Sequence, residues 1–193
     1  MIALPKHKMT ADEFLAWLED LPSETGRFEL WDGEVVVRHG PGFAEDGELA
    51  QHWDGKGAMY RALHDAIKRA GLPCFAAVDG PMVRLSPNRM ARPDVLVYCG
   101  ARVSRWTREV PNPIILVEVL SPSTEKRDHG VKLQGYFTLP SLHHYLIIDP
   151  DRRLLIHHRR GGKATETEIV TGPRLQLDPP GLDVDLTEVL AAT

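Results

Sequence analysis

The sequence predicts an α/β fold: a mixed β-sheet flanked by helices in the order α-β-β-β-α-β, preceded by an N-terminal helix and hairpin. Three observations carry this. "DVLVYC" (94–99) and "PIILVEVL" (113–120) are almost wholly apolar, as expected for strands covered on both faces. Apolar residues recur at helical spacing over about 48–70 and again over 123–139. Helical and strand-like segments alternate through the middle of the chain, the pattern of layered α/β architecture.

The elements follow in order. "MTADEFLAWLEDLP" (9–22) reads as a helix with Thr10 as N-cap and Glu13 at the capping-box spacing. "GRFELWDGEVVVR" (26–38) reads as a hairpin turning at Asp32-Gly33. The Gly-, Pro- and acid-rich stretch after it reads as a loop. A helix is expected from about Glu48 to Ala70, weakened by Gly55 and Gly57 and stopped by Gly71 and Pro73. "CFAAVDGPMVRL" (74–85) is expected as one strand, followed by the two apolar strands. "STEKRDHGVKLQGYFTL" (123–139) is a helix capped by Ser123 or Thr124. "HHYLIID" and "RRLLIHHR" are strands joined at Asp149-Pro150-Asp151, and "LDVDLTEVLAA" (182–192) is expected as a short closing helix.

With 193 residues and no repeat, one domain spanning 1–193 is expected. Its core is about 48–150, with the helix and hairpin 9–38 before it and a hairpin and tail 151–193 after it. No apolar run approaches the roughly 20 residues of a membrane helix, and the N-terminus lacks the apolar stretch of a secretory signal. No membrane partner and a cytoplasmic location are therefore expected. Cys74 and Cys99 form no CxxC pair, which argues against a zinc or redox motif; each reads as a small buried hydrophobe, with a disulfide between them as the minor alternative. The net charge of −4 argues against a tight, nonspecific nucleic-acid binder but leaves a local nucleic-acid site open.

Glu118 is the residue that asks for chemistry. It sits amid Ile114, Ile115, Leu116, Val117, Val119 and Leu120. A buried carboxylate without a partner costs several kcal/mol or more, so it needs a cation, a metal or solvent. Taken alone, it is equally a strand-end acid turned to water or paired with an arginine. Two neighbours change the balance. Asp94 opens another apolar strand after Pro93; if the strands are adjacent, the two carboxylates meet, and a divalent cation relieves their repulsion. Hard oxygen ligands favour Mg²⁺ or Mn²⁺ over zinc. Lys132 lies on the following helix, from which it reaches back over the acids or, like an ordinary helix lysine, points to solvent. An Asp128–Lys132 pair at i, i+4 would turn it outward.

"MTADEFLAWLEDLP", "GRFELWDGEVVV", "RPDVLVYC", "ILVEVLSPST" and "HHYLIIDP" resemble, in order, the motifs of the Uma-type endonuclease family, within the restriction-endonuclease-like PD-(D/E)XK superfamily. The resemblance runs from about Met9 to Pro150. "VEVLSPST" followed by Asp128, Lys132 and Tyr136 is its most specific part. It implies a restriction-endonuclease-like core and Mg²⁺- (or Mn²⁺-) dependent hydrolysis of phosphodiester bonds in DNA. Pro93-Asp94 matches the "PD" and Glu118 the acid of the second half-motif; both are implied metal ligands. Leu120 stands where the superfamily has lysine, and Lys132 takes that role. Glu29 matches an acidic position of the N-terminal motif and His52 a histidine at the start of the long helix, both as further catalytic candidates.

Each has an ordinary reading too. Glu29 in a hairpin is exposed by default, and His52 equally suits a hydrogen-bonded core position. Arg102, Arg105 and Arg108 around Trp106 suit phosphates and a stacked base, but more simply a solvated loop. Two further functional classes compete: a non-catalytic nucleic-acid- or protein-binding module derived from the nuclease fold, and a hydrolase of another phosphate ester. A homodimer is compatible with cutting both strands.

Overall fold

The computed structural model describes residues 3–22, 26–39, 50–120 and 129–191. Helix α1 (Ala11–Glu19) begins at the expected capping box: the Thr10 hydroxyl accepts from the Glu13 N–H, and Glu13 Oε2 accepts from the Thr10 N–H at 2.7 Å. Ala11, Phe14 and Leu18 form its buried stripe. They pack on Phe28 and Leu30 of β1 (Arg27–Trp31). Strand β2 (Glu34–His39) returns antiparallel through Asp32 and Gly33, whose φ values of 52° and 84° are the left-handed pair a two-residue hairpin requires.

Helix α2 (Ala50–Ala70) leads into β3 (Cys74–Val78). Here one expected strand becomes two. Asp79 takes a left-handed φ of 55° and Gly80-Pro81 ends the ladder. The chain then leaves one sheet for another. Strands β4 (Val83–Ser86) and β5 (Arg89–Ala91) join the N-terminal hairpin in a four-stranded sheet of order β2-β1-β5-β4. The short β5 had no separate signal in the sequence.

The larger sheet holds β6 (Val95–Cys99), β7 (Ile115–Val119), β8 (His144–Asp149), β9 (Leu154–Arg160) and β10 (Thr165–Val170), in the order β10-β9-β8-β7-β6-β3. Only the β7–β8 pair is parallel, so the sheet is mixed. A parallel pair needs a crossover, and α3 (His129–Tyr136) lies in it. Within this sheet the sequential order α2, β3, β6, β7, α3, β8 is the α-β-β-β-α-β core expected. The proposed caps Ser123 and Thr124, and Asp128, lie outside the described residues.

The pleat sorts β7 side chains by parity. Ile115, Val117 and Val119 join Met59, Leu63 and Ile67 of α2 on one face. Gly55 permits that approach, since a Cβ there would lie 3.1 Å from Val119 Cγ1. Leu116 faces the other way, toward Tyr136, Leu142 and the smaller sheet's Val83 and Leu85. Glu118 shares the parity of Leu116.

Two further expectations are corrected. Cys74 and Cys99 are not separate thiols: antiparallel register sets them opposite each other on β3 and β6, and they form a disulfide. The tail is not one helix. Leu175 and Leu177 of β11 (Arg174–Leu177) alternate with exposed residues, pair with β12 (Leu182–Asp185), and only α4 (Thr187–Ala191) is helical. That hairpin covers α2's side of the core with Leu182 and Val184. Among the described residues, no helix is long and apolar enough to cross a membrane.

Candidate active site

Glu118 is buried at 8% exposure, and its Oε1 is gripped from α3. Lys132 Nζ donates at 2.8 Å and the Tyr136 hydroxyl at 2.5 Å. Residues i and i+4 share a helix face, so one side of α3 delivers both donors. Lys132 is 2% exposed and points inward. The outward reading through Asp128 therefore does not describe it.

Lys132 also reaches Glu29, with Nζ 3.4 Å from Oε1. Glu29 is not an exposed hairpin residue: it is fully buried. The Arg92 N–H donates to its Oε1 at 3.0 Å and the Trp31 indole to Oε2 at 2.9 Å, while Arg38 Nε lies 3.3 Å from Oε2. The hairpin packs edge-on against the site, an arrangement that short-range pattern cannot express.

Asp94 occupies the neighbouring position. Its Oδ2 accepts the Val119 N–H at 2.8 Å, which ties the start of β6 to the end of β7. His52 Nε2 lies 3.6 Å from Oδ2 and donates at 2.8 Å to the Val119 carbonyl, which fixes the proton on Nε2. Lys56, one turn on from His52 and 1% exposed, places Nζ 3.4 Å from Asp94 Oδ1 and 3.0 Å from Asp79 Oδ1. Asp79 in turn pairs with Arg27 at 2.6 Å. Lys56 and Asp79 escaped the sequence reading. The signal available for Lys56 was its i, i+4 relation to His52.

The five candidates thus converge: Glu29, Lys132 and Glu118 in one chain of contacts, Asp94 and His52 in an adjoining one. Their electrostatics diverge. Burial pushes the Glu118 carboxyl up to about 7; Lys132 opposes this, while Asp94 and Glu29 add to it. Burial also works against Asp94, but His52 and then Lys56 outweigh it and hold the carboxyl down at about 2. For Lys132, burial is outweighed by Glu118 and Glu29, and its pKa is raised. Tyr136 is raised well above its ordinary value by burial and then by Glu118, so it remains a donor.

The donor set suits a hard cation. Both hydrogen bonds to Glu118 land on Oε1, and Oε2 accepts none among the described residues. A carboxyl held near 7 is one short of positive charge. Among the described residues no cluster of three or more His, Cys, Asp or Glu side chains is arranged to hold a metal. Mg²⁺, however, is commonly held by one or two carboxylates with water and substrate phosphate completing its shell. Asp94 and Glu118 fit that role.

A family model, Uma2, described as "Putative restriction endonuclease", matches residues 11–192. The chain belongs to this family. A fold comparison agrees with the layered architecture: a structure described as "a putative nuclease belonging to DUF820 from Anabaena variabilis ATCC 29413" superposes with a TM-score of 0.69 over 95% of this chain and 98% of that one, at 18% identity. A shorter stretch is 45% identical over 56 residues to "Uncharacterized protein slr1290" of Synechocystis sp. (strain ATCC 27184 / PCC 6803 / Kazusa), covering 29% of this chain and 30% of that protein. The Uma2 match spans every described element of the site, from α1 to α4.

Proposed function

We propose that this Uma2 member is a divalent-cation-dependent endonuclease that hydrolyses phosphodiester bonds in DNA. The observation that carries the reading is the delivery of Lys132 onto Glu118 from α3, at the acid beside which Leu120 leaves the superfamily's strand lysine missing. Asp94 and Glu118 would hold Mg²⁺ or Mn²⁺. Bound there, the cation supplies Lewis acidity toward the phosphate and lowers the pKa of water in the site.

The chain's own residues supply the rest. Lys132 presents a rigid, water-excluded positive charge where negative charge grows on the pentavalent phosphorus centre; such preorganised charge is a large part of catalysis. Tyr136 and Lys132 hold Glu118 by one oxygen and orient the other. Glu29 is a positioning residue, fixing Lys132 from the side opposite Glu118. His52 and Lys56 keep Asp94 ionised, while burial holds the Glu118 carboxyl above its ordinary value until a cation or Lys132 favours its charged form.

The test is nicking of supercoiled plasmid in Mg²⁺ or Mn²⁺ by the wild type and by Asp94→Ala, Glu118→Ala and Lys132→Ala, with folding followed by circular dichroism. Each folded variant is expected to lose on the order of a hundredfold or more in rate. Cleavage that survives Glu118→Ala would refute the assignment. No cleavage by the wild type, with no heat of Mg²⁺ binding, would replace it with a non-catalytic binding module. One feature favours that second reading: Lys56 and Lys132 already counter the acids from within.

A further inference from the structure

Most arginines on this protein hold a carboxylate: Arg27 with Asp79, Arg84 with Glu109, Arg89 with Asp32, Arg159 with Glu166, Arg174 with Asp183. Arg69 and Arg160 bind main-chain carbonyls instead. Among the described residues four others make no ion pair with a carboxylate, and all four line one cavity of about 790 Å³. They are Arg92, Arg102, Arg105 and Arg108. The cavity lies between the edge strand β3 and the segment 101–110 that links β6 to β7.

This segment is not simply a solvated loop. The Met82 N–H donates to the Arg108 carbonyl at 2.8 Å, and the Val110 N–H returns to the Met82 carbonyl at 2.9 Å. The Thr107 hydroxyl caps the Glu109 carbonyl at 2.8 Å. Its arginines are therefore presented from a tethered frame. Arg92 stands at the inner wall. Its Nε is fully enclosed with no hydrogen-bond partner, a group that an anion would satisfy.

The walls are aromatic. Phe75 and Tyr98 sit opposite each other across β3 and β6 with ring centroids 5.3 Å apart. The Arg102 guanidinium lies 5.0 Å over the Phe75 ring. Trp106 is not itself in the lining but stands in the chain between the lining residues Arg105 and Thr107; it is 78% exposed, with Arg105 at 4.7 Å over its ring. Guanidinium groups with no carboxylate partner near an exposed indole are the chemistry that grips a phosphate backbone and stacks bases. Arg92, in the cavity's lining, precedes Asp94 by two residues, and its own N–H binds Glu29.

We propose that this cavity is a single-strand nucleic-acid subsite, in which Arg92, Arg102, Arg105 and Arg108 hold the phosphates next to the scissile position and Trp106 stacks a base. It rests on the nuclease reading for the direction of the strand toward Asp94, but binding is measurable without cleavage.

The experiment is fluorescence anisotropy of a labelled single-stranded oligonucleotide in EDTA, across a salt series. The wild type, the Arg102→Ala/Arg105→Ala double variant, Trp106→Ala and a control, Arg159→Ala, are compared. These side chains are exposed, so the fold is retained. The double variant is expected to bind about tenfold or more weakly, and its salt slope to fall by about 1.4, at roughly 0.7 per phosphate contact on a single strand. Trp106→Ala is expected to lose about tenfold, and Arg159→Ala nothing. No binding by the wild type, or equal affinity and slope in the double variant, would overturn the subsite. Displacement of the oligonucleotide by a mononucleotide at equal phosphate concentration would also overturn it, in favour of a free-nucleotide site. Plasmid nicking separates the two proposals: nicking retained with unchanged oligonucleotide affinity in the double variant sinks the subsite alone, whereas arginine-dependent binding without nicking sinks the nuclease reading alone.

Discussion

Replacing Lys132 with methionine removes a charge while keeping most of the stem's volume. The lysine is 2% exposed and lies 2.8 Å from Glu118 Oε1 and 3.4 Å from Glu29 Oε1. Glu29 keeps Arg38, the Trp31 indole and a backbone N–H; among the described residues Glu118 keeps the Tyr136 hydroxyl alone. Removing one partner of a buried pair costs about 3–5 kcal/mol because the remaining charge is stranded. The loss must depend on pH. The Glu118 carboxyl is already raised to about 7 in the wild type, from an ordinary 4.5. A raised carboxyl stabilises the fold in its protonated form; that contribution is full below pH 4.5 and is lost as pH climbs through the folded value. Without Lys132 the folded value moves higher, so the variant sheds stability over a range where the wild type has finished doing so. The expected result, from urea unfolding in EDTA followed by circular dichroism, is a modest deficit at pH 6 that widens toward about 3–5 kcal/mol at pH 8.5. A deficit under about 1 kcal/mol at both pH values, or one that does not grow with pH, would show that Lys132 is not the counter-ion of a buried acid.

Two other perturbations test the surroundings. Lys56→Met strips Asp94 of one cation, but Asp94 keeps the Val119 N–H and His52, and Asp79 keeps Arg27. A smaller loss than for Lys132→Met is expected, about 1–3 kcal/mol, with the Asp94 carboxyl rising from about 2 in an NMR titration; an equal or larger loss would contradict the partition of charges drawn above. Far from the site, His144 is buried, with Nε2 donating to the Pro179 carbonyl at 2.8 Å and Nδ1 2.9 Å from His157 Nε2. Burial lowers its pKa from 6.5 to about 4. The unfolded chain therefore binds the proton first, and stability complete above pH 6.5 falls by up to about 3 kcal/mol as pH drops to 4. Urea midpoints across that range should show this slope in the wild type and a flatter one in His144→Gln; parallel slopes would refute it.

What was legible in the sequence was local. The Thr10–Glu13 box, the Asp32-Gly33 turn and the apolar runs of β6 and β7 each declare themselves within a few residues, and the structure realises all of them. Glu118 was legible as an anomaly because it interrupts such a run. What was hidden depends on contacts between distant segments. No spacing within "CFAAVDGPMVRL" says that its second half belongs to another sheet. The Cys74–Cys99 bond follows from strand register, which pairs positions 25 residues apart. The burial of Glu29 follows from the smaller sheet packing over the site, and the partnership of Lys56 with Asp79 from a turn reversing beside a helix. The resemblance supplied Glu29 and His52 as candidates, and Lys132 was legible from its place on the helix after Glu118; the folded chain supplies the contacts of each with its neighbours.

Leu120, where the resemblance would lead one to expect lysine, has a geometric explanation. Positions 118 and 120 share a face of the pleat, so a lysine at 120 would stand directly beside Glu118. Here Leu120 is half-buried, its N–H bound to the Ile148 carbonyl at 2.8 Å, and it packs among the apolar residues of that face. A charge at 120 would have to be desolvated at the edge of an apolar cluster. Helix α3 crosses this same face on its way from β7 to β8, and its inward side carries Lys132 and Tyr136 one turn apart. Bringing the ammonium from above places it between Glu118 and Glu29, where two carboxylates rather than one offset its desolvation. It also confines both donors to Oε1. The acid in the apolar strand is thus anchored by one oxygen, with no described residue bound to the other, which is the arrangement a carboxylate needs if it is to share a cation with Asp94 without surrendering its lysine.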